Sequence, residues 1–440
     1  MHTKVVKFGG SSLADAKQFI KVAEIIKADS SRRFVVPSAP GKRFSEDIKV
    51  TDMLYSCYDL AAKGNDIDDA FKAIIDRYNG IISDLGITLS LDKEYETIKA
   101  CFIGRAGRDY AASRGEYLNG IILAAFLGFN FVDPAEVIFF TDNGSFDSER
   151  TNSVLGDRLS KLDYAVIPGF YGSMPNDTIK TFSRGGSDVT GSIVSRAVNA
   201  EVYENWTDVS GFLICDPRIV ENPEGITTIT YRELRELSYM GATVLHEDAI
   251  FPVRKAGIPI NIKNTNKPED SGTMIVDSTD EPAKYTITGI AGKRGFAVVN
   301  LEKDMMNSEI GFGRKVLEVF EKNCVSFEHM PSGIDTMSVI VNKCELEAKK
   351  ENIIAGLKRN VCPDNIEIEE DLALIAIVGR GMKSTRGTAG RIFSALAHSY
   401  VNVKMIDQGS SELNIIVGVS EKDFPAATKA IYDIFVTQRI

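Results

Sequence analysis

Three glycine-rich or small-residue turns could bind an anion, because each follows a short apolar run and precedes a helix-like segment. They are Gly9-Gly10-Ser11-Ser12, Pro37-Ser38-Ala39-Pro40-Gly41 and Pro168-Gly169-Phe170-Tyr171-Gly172. Such turns present backbone N–H groups beside the positive end of a helix, which suits a phosphate group. Lys7 precedes the first turn, and a lysine in a dry strand end is costly unless it faces an anion. Taken alone, Lys7 is more simply an edge-strand lysine whose ammonium group reaches water.

The stretch Phe182-Ser183-Arg184-Gly185-Gly186-Ser187-Asp188 is the most informative part of the sequence. It precedes a predicted helix over 189–198, so the simplest role of Asp188 is to cap that helix, worth about 1 kcal/mol. The functional alternative is stronger, because Arg184 and Asp188 flank a turn that lets the backbone approach a ligand closely. Arginine binds a carboxylate with two hydrogen bonds, and an aspartate could hold a metal ion or restrain a donor lysine.

Other polar residues are weaker candidates by themselves. Glu116 lies in a charged helical region, where a lone glutamate is usually solvated, and Trp206-Thr207-Asp208-Val209 ends a predicted strand shortly before Asp216-Pro217-Arg218. The segment Gly379-Arg380-Gly381-Met382-Lys383-Ser384 lacks the spacing of a Walker A loop, and no GxGxxG motif follows the first strand. We therefore expect neither a P-loop nor a dinucleotide-binding motif.

Alternating strands and helices must position these turns. The alternation predicts an α/β fold with a mainly parallel sheet, helices on both faces and ligand loops at the carboxyl ends of the strands. The region 55–127 is predicted to be a helical segment outside that sheet, with breaks near Gly80 and Gly86. The segment 264–282 is rich in Asn, Thr, Pro, Asp and Ser and reads as a domain boundary.

An internal repeat follows this boundary. Residues 296–301, 311–320, 325–328 and 337–341 read as strand, helix, strand and strand, and residues 372–378, 387–396, 401–406 and 413–419 repeat the order. The sequence therefore predicts two small α+β modules after the α/β domain.

Composition excludes several classes of protein. The chain has 440 residues, 44% of them hydrophobic and 25% charged, which is enough for about two to four domains. The net charge of −10 and the lack of a basic stripe argue against nucleic acid as a partner. No apolar run reaches the roughly 20 residues that span a bilayer and no signal peptide is visible, so we expect a cytoplasmic protein without a membrane partner. The six cysteines form no CxxC pair, which favours reduced thiols over a zinc site or a disulfide framework.

Taken together, the motifs resemble the aspartate kinase family. The resemblance rests on Lys7-Phe8-Gly9-Gly10-Ser11-Ser12, on 183–188, on 206–209, on 216–218 and on Val244-Leu245-His246, and it covers essentially the whole chain. The first motif is typical of the amino-acid kinase superfamily, and the whole set with two C-terminal ACT-like modules is specific for aspartate kinase.

The resemblance implies a domain organisation. It places an amino-acid kinase catalytic domain over 1–280, a first ACT module over 293–362 and a second over 363–440. A strand over 284–292 is expected to join the second module, because in the family the first module is inserted in the second. The length implies a monofunctional enzyme without a fused homoserine dehydrogenase.

The resemblance also implies the reaction and the residues that carry it. The reaction is phosphoryl transfer from ATP, with Mg²⁺, to the β-carboxylate of L-aspartate, the entry to lysine, methionine and threonine synthesis. Lys7 would neutralise charge on the transferred group and Asp188 would orient Lys7, while Arg184 would bind the α-carboxylate and Glu116 the ammonium of aspartate. The remaining expected ligands are Ser38, Thr51, Phe170 and Ser187 for aspartate, and Lys7, Gly9, Gly10, Thr207, Asp208 and Arg218 for the nucleotide. No metal site made of protein side chains alone is expected.

Three positions depart from the family pattern. Thr243 stands where the family often has a lysine that contacts nucleotide phosphate, and Leu213 where a nucleotide-side tyrosine is common. Tyr171 replaces a glutamine that commonly follows the pocket phenylalanine. The departures concern nucleotide affinity and tuning of the pocket, since Lys7, Arg184 and Asp188 are all present.

Regulation is the last expectation. The resemblance implies a homodimer joined through its ACT modules, or a higher oligomer, with feedback inhibition by L-lysine. The expected effector pocket comprises Met306, Gly311, Gly313, Phe327 and Glu328, although Glu328 could instead be a solvated strand residue and the two glycines plain turn formers. Two other functions stay open from the residues: a kinase for glutamate or a related acid, and a catalytically silent amino-acid sensor, against which Lys7, Glu116, Arg184 and Asp188 argue.

Overall fold

The chain folds into two compact units in the computed structural model. The structure describes residues 2–183, 185–242, 245, 247–281 and 283–437, with the backbone alone for 247–249. The first unit comprises Met1–Phe212, Thr227–Tyr231 and Val244–Thr279, and the second comprises Leu213–Ile226, Arg232–Thr243 and Asp280–Ile440. Each unit therefore contains segments that are distant in sequence.

The first unit is an α/β sandwich built on an eight-stranded sheet. Its strands are β1 (Lys4–Phe8), β2 (Arg32–Pro37), β3 (Asn130–Phe131), β4 (Ala165–Val166), β7 (Val202–Thr207), β8 (Thr228–Thr230), β9 (Ile260–Asn264) and β10 (Thr273–Val276), and β5 (Tyr171–Ser173) and β6 (Ile179–Thr181) form a separate hairpin. The order in the sheet is β3-β4-β2-β1-β7-β9-β10-β8, and only the β9–β10 pair is antiparallel. The carboxyl ends of β1, β2, β4 and β7 therefore meet at one edge, where the three predicted turns lie.

Helices cover both faces of this sheet. They are α1 (Ala16–Lys27), α2 (Val50–Ala62), α3 (Asp68–Leu85), α4 (Asp92–Ile103), α5 (Arg108–Leu127), α6 (Pro134–Val137), α7 (Ser148–Leu159), α8 (Gly186–Ala197) and α10 (Glu247–Lys255). Helix α9 (Tyr231–Tyr239) belongs to the second unit from Arg232 onward. Helices α1 to α5 share one hydrophobic core with Val6, Phe8 and Trp206 of the strands. Lys7 alternates with Val6 and Phe8, so it points to the opposite face, where α8 packs on β1 and β7.

The helical region 55–127 differs from the prediction at one position. A break was predicted near Gly80, but α3 runs through it, because Phe71, Ile74 and Tyr78 keep the apolar face continuous and buried. A Cβ atom at Gly80 would meet nothing within 4 Å, so the cost is the ordinary one of about 1 kcal/mol for glycine in a helix. The break predicted at Gly86 is confirmed, since this residue ends α3 with a φ of 65°.

The second unit is built on a six-stranded antiparallel sheet. Its elements are β11 (Gly289–Glu302), α11 (Phe312–Lys322), β12 (Phe327–His329), β13 (Thr336–Asn342), α12 (Lys343–Glu347), α13 (Lys350–Val361), β14 (Asn365–Val378), α14 (Thr388–His398), β15 (Val403–Asp407), β16 (Asn414–Ser420) and α15 (Phe424–Tyr432). The order is β12-β13-β11-β14-β16-β15. Residues 289–293 of β11 pair with 374–378 of β14, and residues 296–302 of β11 pair with 365–372, so these two long strands run through both halves of the sheet.

Both halves of the second unit follow the same order of elements. A short 3-10 helix, a helix, a strand and a further strand follow β11, and the same succession follows β14. The predicted α/β domain with a mainly parallel sheet, followed by two similar α+β modules, is confirmed by this architecture.

Candidate active site

Lys7 and Asp188 form the centre of the site. The ammonium Nζ of Lys7, at the end of β1, lies 2.6 Å from Oδ1 of Asp188, in the first turn of α8. Lys7 is 7% exposed, so the pair is largely removed from water. Gly185 precedes the helix with a φ of 57°, a left-handed conformation that suits glycine. The capping role considered for Asp188 is therefore wrong, because its carboxylate is committed to Lys7.

Asn205 completes this pair, and sequence reasoning missed it. It lies on β7 in register with Lys7 on β1 and is 4% exposed. Its Nδ2 donates to Oδ1 of Asp188 at 2.8 Å, and its Oδ1 accepts from Lys7 Nζ at 3.4 Å. The sequence feature that could have indicated a role for Asn205 is an amide inside a predicted strand, directly before the Trp206-Thr207-Asp208 motif, where an apolar residue is expected.

The first two turns are in contact. The Gly9 N–H donates to the carbonyl of Trp206 at 3.0 Å, and a Cβ atom at Gly9 would lie 3.6 Å from Lys7 Nζ. The Gly41 N–H donates to the carbonyl of Gly10 at 2.8 Å, and a Cβ atom at Gly10 would lie 2.9 Å from the Ala39 carbonyl. Glycine is therefore required at Gly10 by the close approach of two backbones, beside the Lys7 ammonium.

A buried carboxyl group lies beside the second turn. Glu116 of α5 is 6% exposed, and its Oε2 has no hydrogen-bond partner among the described residues. Burial raises its pKa to about 8, while N–H donors including that of Ala39 and the nearby Arg114 lower it by less. A buried carboxyl oxygen without a hydrogen-bond partner is costly in the free protein, so Oε2 of Glu116 favours a cationic ligand.

Ser38 and Thr51 lie near Glu116. The Ser38 N–H donates to the Phe8 carbonyl at 3.0 Å, and its carbonyl accepts from Asn119 of α5 at 2.6 Å. A Cβ atom at Gly115 would lie 3.8 Å from Oγ1 of Thr51. Close packing of α5 on the start of α2 thus brings these three predicted aspartate ligands together.

The third turn packs on the start of α8. A Cβ atom at Gly169 would lie 2.6 Å from Oγ of Ser187, and one at Gly186 would lie 2.3 Å from the Phe170 ring. Phe170 has a φ of 85°, unusual for a bulky residue, and its N–H is held by Oγ1 of Thr190 at 3.0 Å. Strained backbone of this kind is concentrated at functional sites. Phe170 and Ser187 are therefore neighbours, as their common assignment to the pocket requires.

Tyr171 has a packing role that accounts for its departure from the family pattern. It is fully buried, its hydroxyl group donates to Oδ1 of Asp133 at 2.8 Å, and the Arg114 guanidinium lies 5.2 Å from its ring centroid. The side chain thus belongs to the interior of the first unit.

The nucleotide candidates are divided between the two units. Thr207 ends β7, where its hydroxyl group donates to Oδ1 of the exposed Asp208 at 3.2 Å. Arg218 belongs to the second unit, where its guanidinium is 88% exposed and forms an ion pair of 2.6 Å with Asp216. Arg184, Thr243, Val244 and His246 lie outside the described residues, so the role of Arg184 stays a prediction.

The effector candidates surround the start of α11 in the second unit. Gly311 precedes this helix with a φ of 79°, Gly313 lies in its first turn, and Phe327 is 47% exposed. Met306 is buried in the hydrophobic core under α11. The Glu328 carboxylate is not simply solvated, because Oε2 accepts from the Tyr239 hydroxyl group at 2.5 Å, which is the main reason that the pKa of Tyr239 rises to about 12.

This arrangement suits transfer of an anionic group to a small amino acid. A buried ammonium group beside glycine turns can stabilise a phosphoryl group, and a buried carboxyl group with one oxygen left without a described partner can accept a ligand ammonium. Within the part of the chain that the structure describes, three or more His, Cys, Asp or Glu side chains do not converge as a metal cage. Across the same residues, no helix combines the length and apolar character needed to cross a membrane.

Comparison with known proteins identifies the family. The sequence pattern of the amino acid kinase family matches residues 2–264, and that of an ACT domain matches residues 375–435. Aspartokinase 3 of Bacillus subtilis is 38% identical, with 98% of each chain aligned, and the bifunctional aspartokinase/homoserine dehydrogenase of Haemophilus influenzae is 29% identical over 98% of this chain and 56% of its own.

A solved structure supports the same conclusion. The Clostridium acetobutylicum aspartate kinase superposes with a TM-score of 0.92 at 54% identity, covering 99% of this chain and 100% of that one. The chain therefore belongs to the amino acid kinase family and, within it, to the aspartate kinases.

Proposed function

We propose that this aspartate kinase transfers the γ-phosphoryl group of ATP to the β-carboxylate of L-aspartate at the edge of the sheet where β1, β2 and β7 end. The single observation that carries the proposal is the buried Lys7–Asp188 pair beside the Gly9-Gly10 turn. Phosphoryl transfer requires little covalent chemistry from the protein. It depends on positioning of the reactants and on electrostatic stabilisation of the transferred group, and this pair supplies such stabilisation.

Charge complementarity assigns the remaining roles. Glu116 accepts the α-ammonium group of aspartate, because its carboxyl group is buried and Oε2 is without a partner in the described chain. Arg184 binds the α-carboxylate. The other proposed ligands are Ser38, Thr51, Phe170 and Ser187 for aspartate, and Gly9, Gly10, Thr207, Asp208 and Arg218 for ATP. The Escherichia coli aspartokinase III, which has the same fold, has been solved with aspartate and ADP.

Mg²⁺ fits this site as a companion of the nucleotide. In kinases it is held mainly by phosphate oxygens and water with one or two carboxylates. The carboxylates available here are Asp188, in the first turn of α8, and Asp208, directly after β7. When bound, Mg²⁺ supplies positive charge to the phosphate oxygens. Lys7 holds an ammonium group beside the glycine turn, and Asp188 keeps that group in place.

We further propose feedback inhibition by L-lysine at the start of α11. Glu328 provides an acid for an effector ammonium group, and the turn at Gly311 and Gly313 opens a helix of eleven residues. The Escherichia coli relative has been solved with lysine and aspartate in a T-state. In this chain the Glu328 carboxylate is held by Tyr239, so an effector ammonium group must compete with that hydroxyl group or share the carboxylate with it.

A cytoplasmic homodimer joined through the ACT modules is the proposed assembly, with a higher oligomer possible. Strands β12 and β15 are the two edges of the six-stranded sheet, and they carry the exposed apolar side chains of Phe327 and Ile406. Such edges are suited to pairing with a second chain. The net charge of −10 agrees with a protein that does not bind nucleic acid.

One assay tests the function. Hydroxylamine traps an acyl phosphate as a hydroxamate, so product is measured with ATP, Mg²⁺ and either aspartate or glutamate, with lysine and threonine added separately and together. We expect turnover with aspartate, little with glutamate, and inhibition by lysine. Preference for glutamate would contradict the substrate, the absence of hydroxamate would favour a silent sensor, and inhibition by threonine alone would contradict the effector.

A further inference from the structure

Asn205 makes contact with both charges of the central ion pair. Its amide accepts from the ammonium of Lys7 on the neighbouring strand and donates to the carboxylate of Asp188 on the covering helix. The reverse orientation of the amide would place its NH₂ group against the ammonium and its oxygen against the carboxylate. The two charges therefore fix the direction of the amide.

The environment of Asn205 shows that its amide serves the ion pair and not the strand. The residue is 4% exposed on a central strand, where an apolar side chain would avoid the desolvation of two polar groups. Tyr203 shares its face of β7 and is fully buried under α8. Both polar ends of Asn205 contact the ion pair, so the amide interacts with the charged centre rather than with the sheet.

The geometry of an ammonium group gives this contact a consequence. Lys7 has three N–H donors in a tetrahedral arrangement. One is directed to Oδ1 of Asp188 at 2.6 Å and a second to Oδ1 of Asn205 at 3.4 Å. Because these two contacts fix the directions of two N–H groups, the third N–H group has little freedom to rotate. The Gly9 turn is close, since a Cβ atom there would lie 3.6 Å from Nζ.

We infer that Asn205 is a positioning residue, which fixes the Lys7 ammonium so that its third N–H points to the transferred phosphoryl group. This inference rests on the proposed role of Lys7 in the reaction. Without the amide, Lys7 still has its ion pair with Asp188 but can rotate about it, so the donor is no longer preorganised for the transition state. The loss is expected in turnover rather than in binding of either substrate.

One substitution tests the inference. Asn205→Leu keeps the approximate volume and removes both contacts, and we expect kcat to fall about 10- to 100-fold while each KM changes less than about threefold. A merely structural role for Asn205 would lower the stability of the protein without this separation of kcat from KM.

The matched control is Tyr203→Phe. Tyr203 lies two residues away on the same face, and its hydroxyl group donates to the backbone carbonyl of Asp188 at 3.1 Å without touching the charges. Its kcat should stay within about twofold of wild type. A kcat in Asn205→Leu as high as in this control would overturn the inference.

Lys7→Ala separates this inference from the function itself. If Lys7→Ala lowers kcat to a measurable residual rate and adding Asn205→Leu causes no further loss, Asn205 acts through Lys7 as inferred. If Lys7→Ala is inactive and Asn205→Leu has normal turnover, only the inference fails. If Lys7→Ala has normal turnover, the proposed role of Lys7 fails and the inference fails with it.

Discussion

Arg77 and Asp47 form an ion pair of 2.9 Å whose side chains are 5% and 9% exposed. The second Nη of Arg77 donates to the carbonyls of Ala14 and Gly41, each at 2.9 Å. Arg77 of α3 therefore ties the β2–α2 loop to the segment that enters α1. Ser38 and Thr51, two proposed aspartate ligands, lie at the two ends of that loop.

Arg77→Met should weaken both the fold and aspartate binding. Removing Arg77 leaves Asp47 with Arg43 as its ion-pair partner and takes the shared donor away from the carbonyls of Ala14 and Gly41, so we expect the free energy of unfolding to fall by about 2 kcal/mol. We also expect a higher KM for aspartate with little change in the KM for ATP. Urea unfolding and steady-state kinetics would measure both, and Arg77→Lys is the control that keeps the charge but not the planar fork. An unchanged aspartate KM would show that the loop holds its shape without Arg77.

Lys7→Ala and Asp188→Ala should each lower kcat by at least about 10²-fold without unfolding the protein. The reason is the loss of the buried ammonium group beside the glycine turn, or of the carboxylate that holds it. Hydroxamate formation would measure turnover, and circular dichroism would check the fold. Near-normal turnover in a folded Lys7→Ala protein would remove Lys7 from the mechanism.

Glu116 should make aspartate binding depend on pH. Burial raises the pKa of its carboxyl group to about 8 from the ordinary 4.5, so most of the free enzyme carries a neutral Glu116 at pH 7. A ligand ammonium group requires the carboxylate, so binding must release a proton. The KM for aspartate should fall as pH rises toward 8, by up to about tenfold per pH unit. Calorimetry in buffers of different ionisation enthalpy would detect the proton, and Glu116→Gln should abolish its release.

The same raised pKa predicts the direction of a stability change. Between pH 4.5 and 8 the folded state binds a proton at Glu116 that the unfolded state has lost, so this group's contribution to the free energy of unfolding decreases as pH rises. Glu116→Gln should remove that decrease in urea unfolding series. Equal slopes in the two proteins would show that Glu116 ionises freely in the fold.

Glu116 and Arg184 should affect the use of aspartate rather than of ATP. Glu116→Ala and Arg184→Ala each remove a charge complementary to the amino acid, so the KM for aspartate should rise while that for ATP changes little. Initial rates with each substrate varied in turn would test this. A rise confined to the ATP KM would contradict both assignments.

Tyr239 should modulate the affinity for lysine. Its hydroxyl group is bonded to Glu328, so Tyr239→Phe frees the carboxylate and should tighten lysine binding several-fold, whereas Glu328→Ala should weaken it about tenfold or more. Calorimetric titration of lysine would measure both, with aspartate present and absent, since coupling between the two ligands must be reciprocal. Lysine binding that is unaffected by Glu328→Ala would exclude this pocket.

Local patterns in the sequence were sufficient for the fold class. Strands before small-residue turns predicted the parallel sheet with ligand loops at one edge, whereas the roles of Lys7 and Asp188 were implied by the resemblance of their motifs to the aspartate kinase family. The repeated order after residue 296 likewise predicted two similar modules. These inferences needed only spacing and residue type, which are properties of short segments.

Contacts between distant segments could be decided only by the tertiary structure. The burial of Glu116 depends on close packing of α5 against the β2–α2 loop, and the Tyr239–Glu328 bond joins residues 89 positions apart. At Gly80 the local sequence predicted a helix break that the structure does not have, because burial of the apolar residues on the other face of α3 keeps the helix continuous. Asn205 is the sharpest case. The sequence alone does not indicate what its amide contacts, and the pairing of β1 with β7 places it beside Lys7. Strand pairing and helix packing determine which polar groups lie together in the interior, and neither can be derived from a short segment.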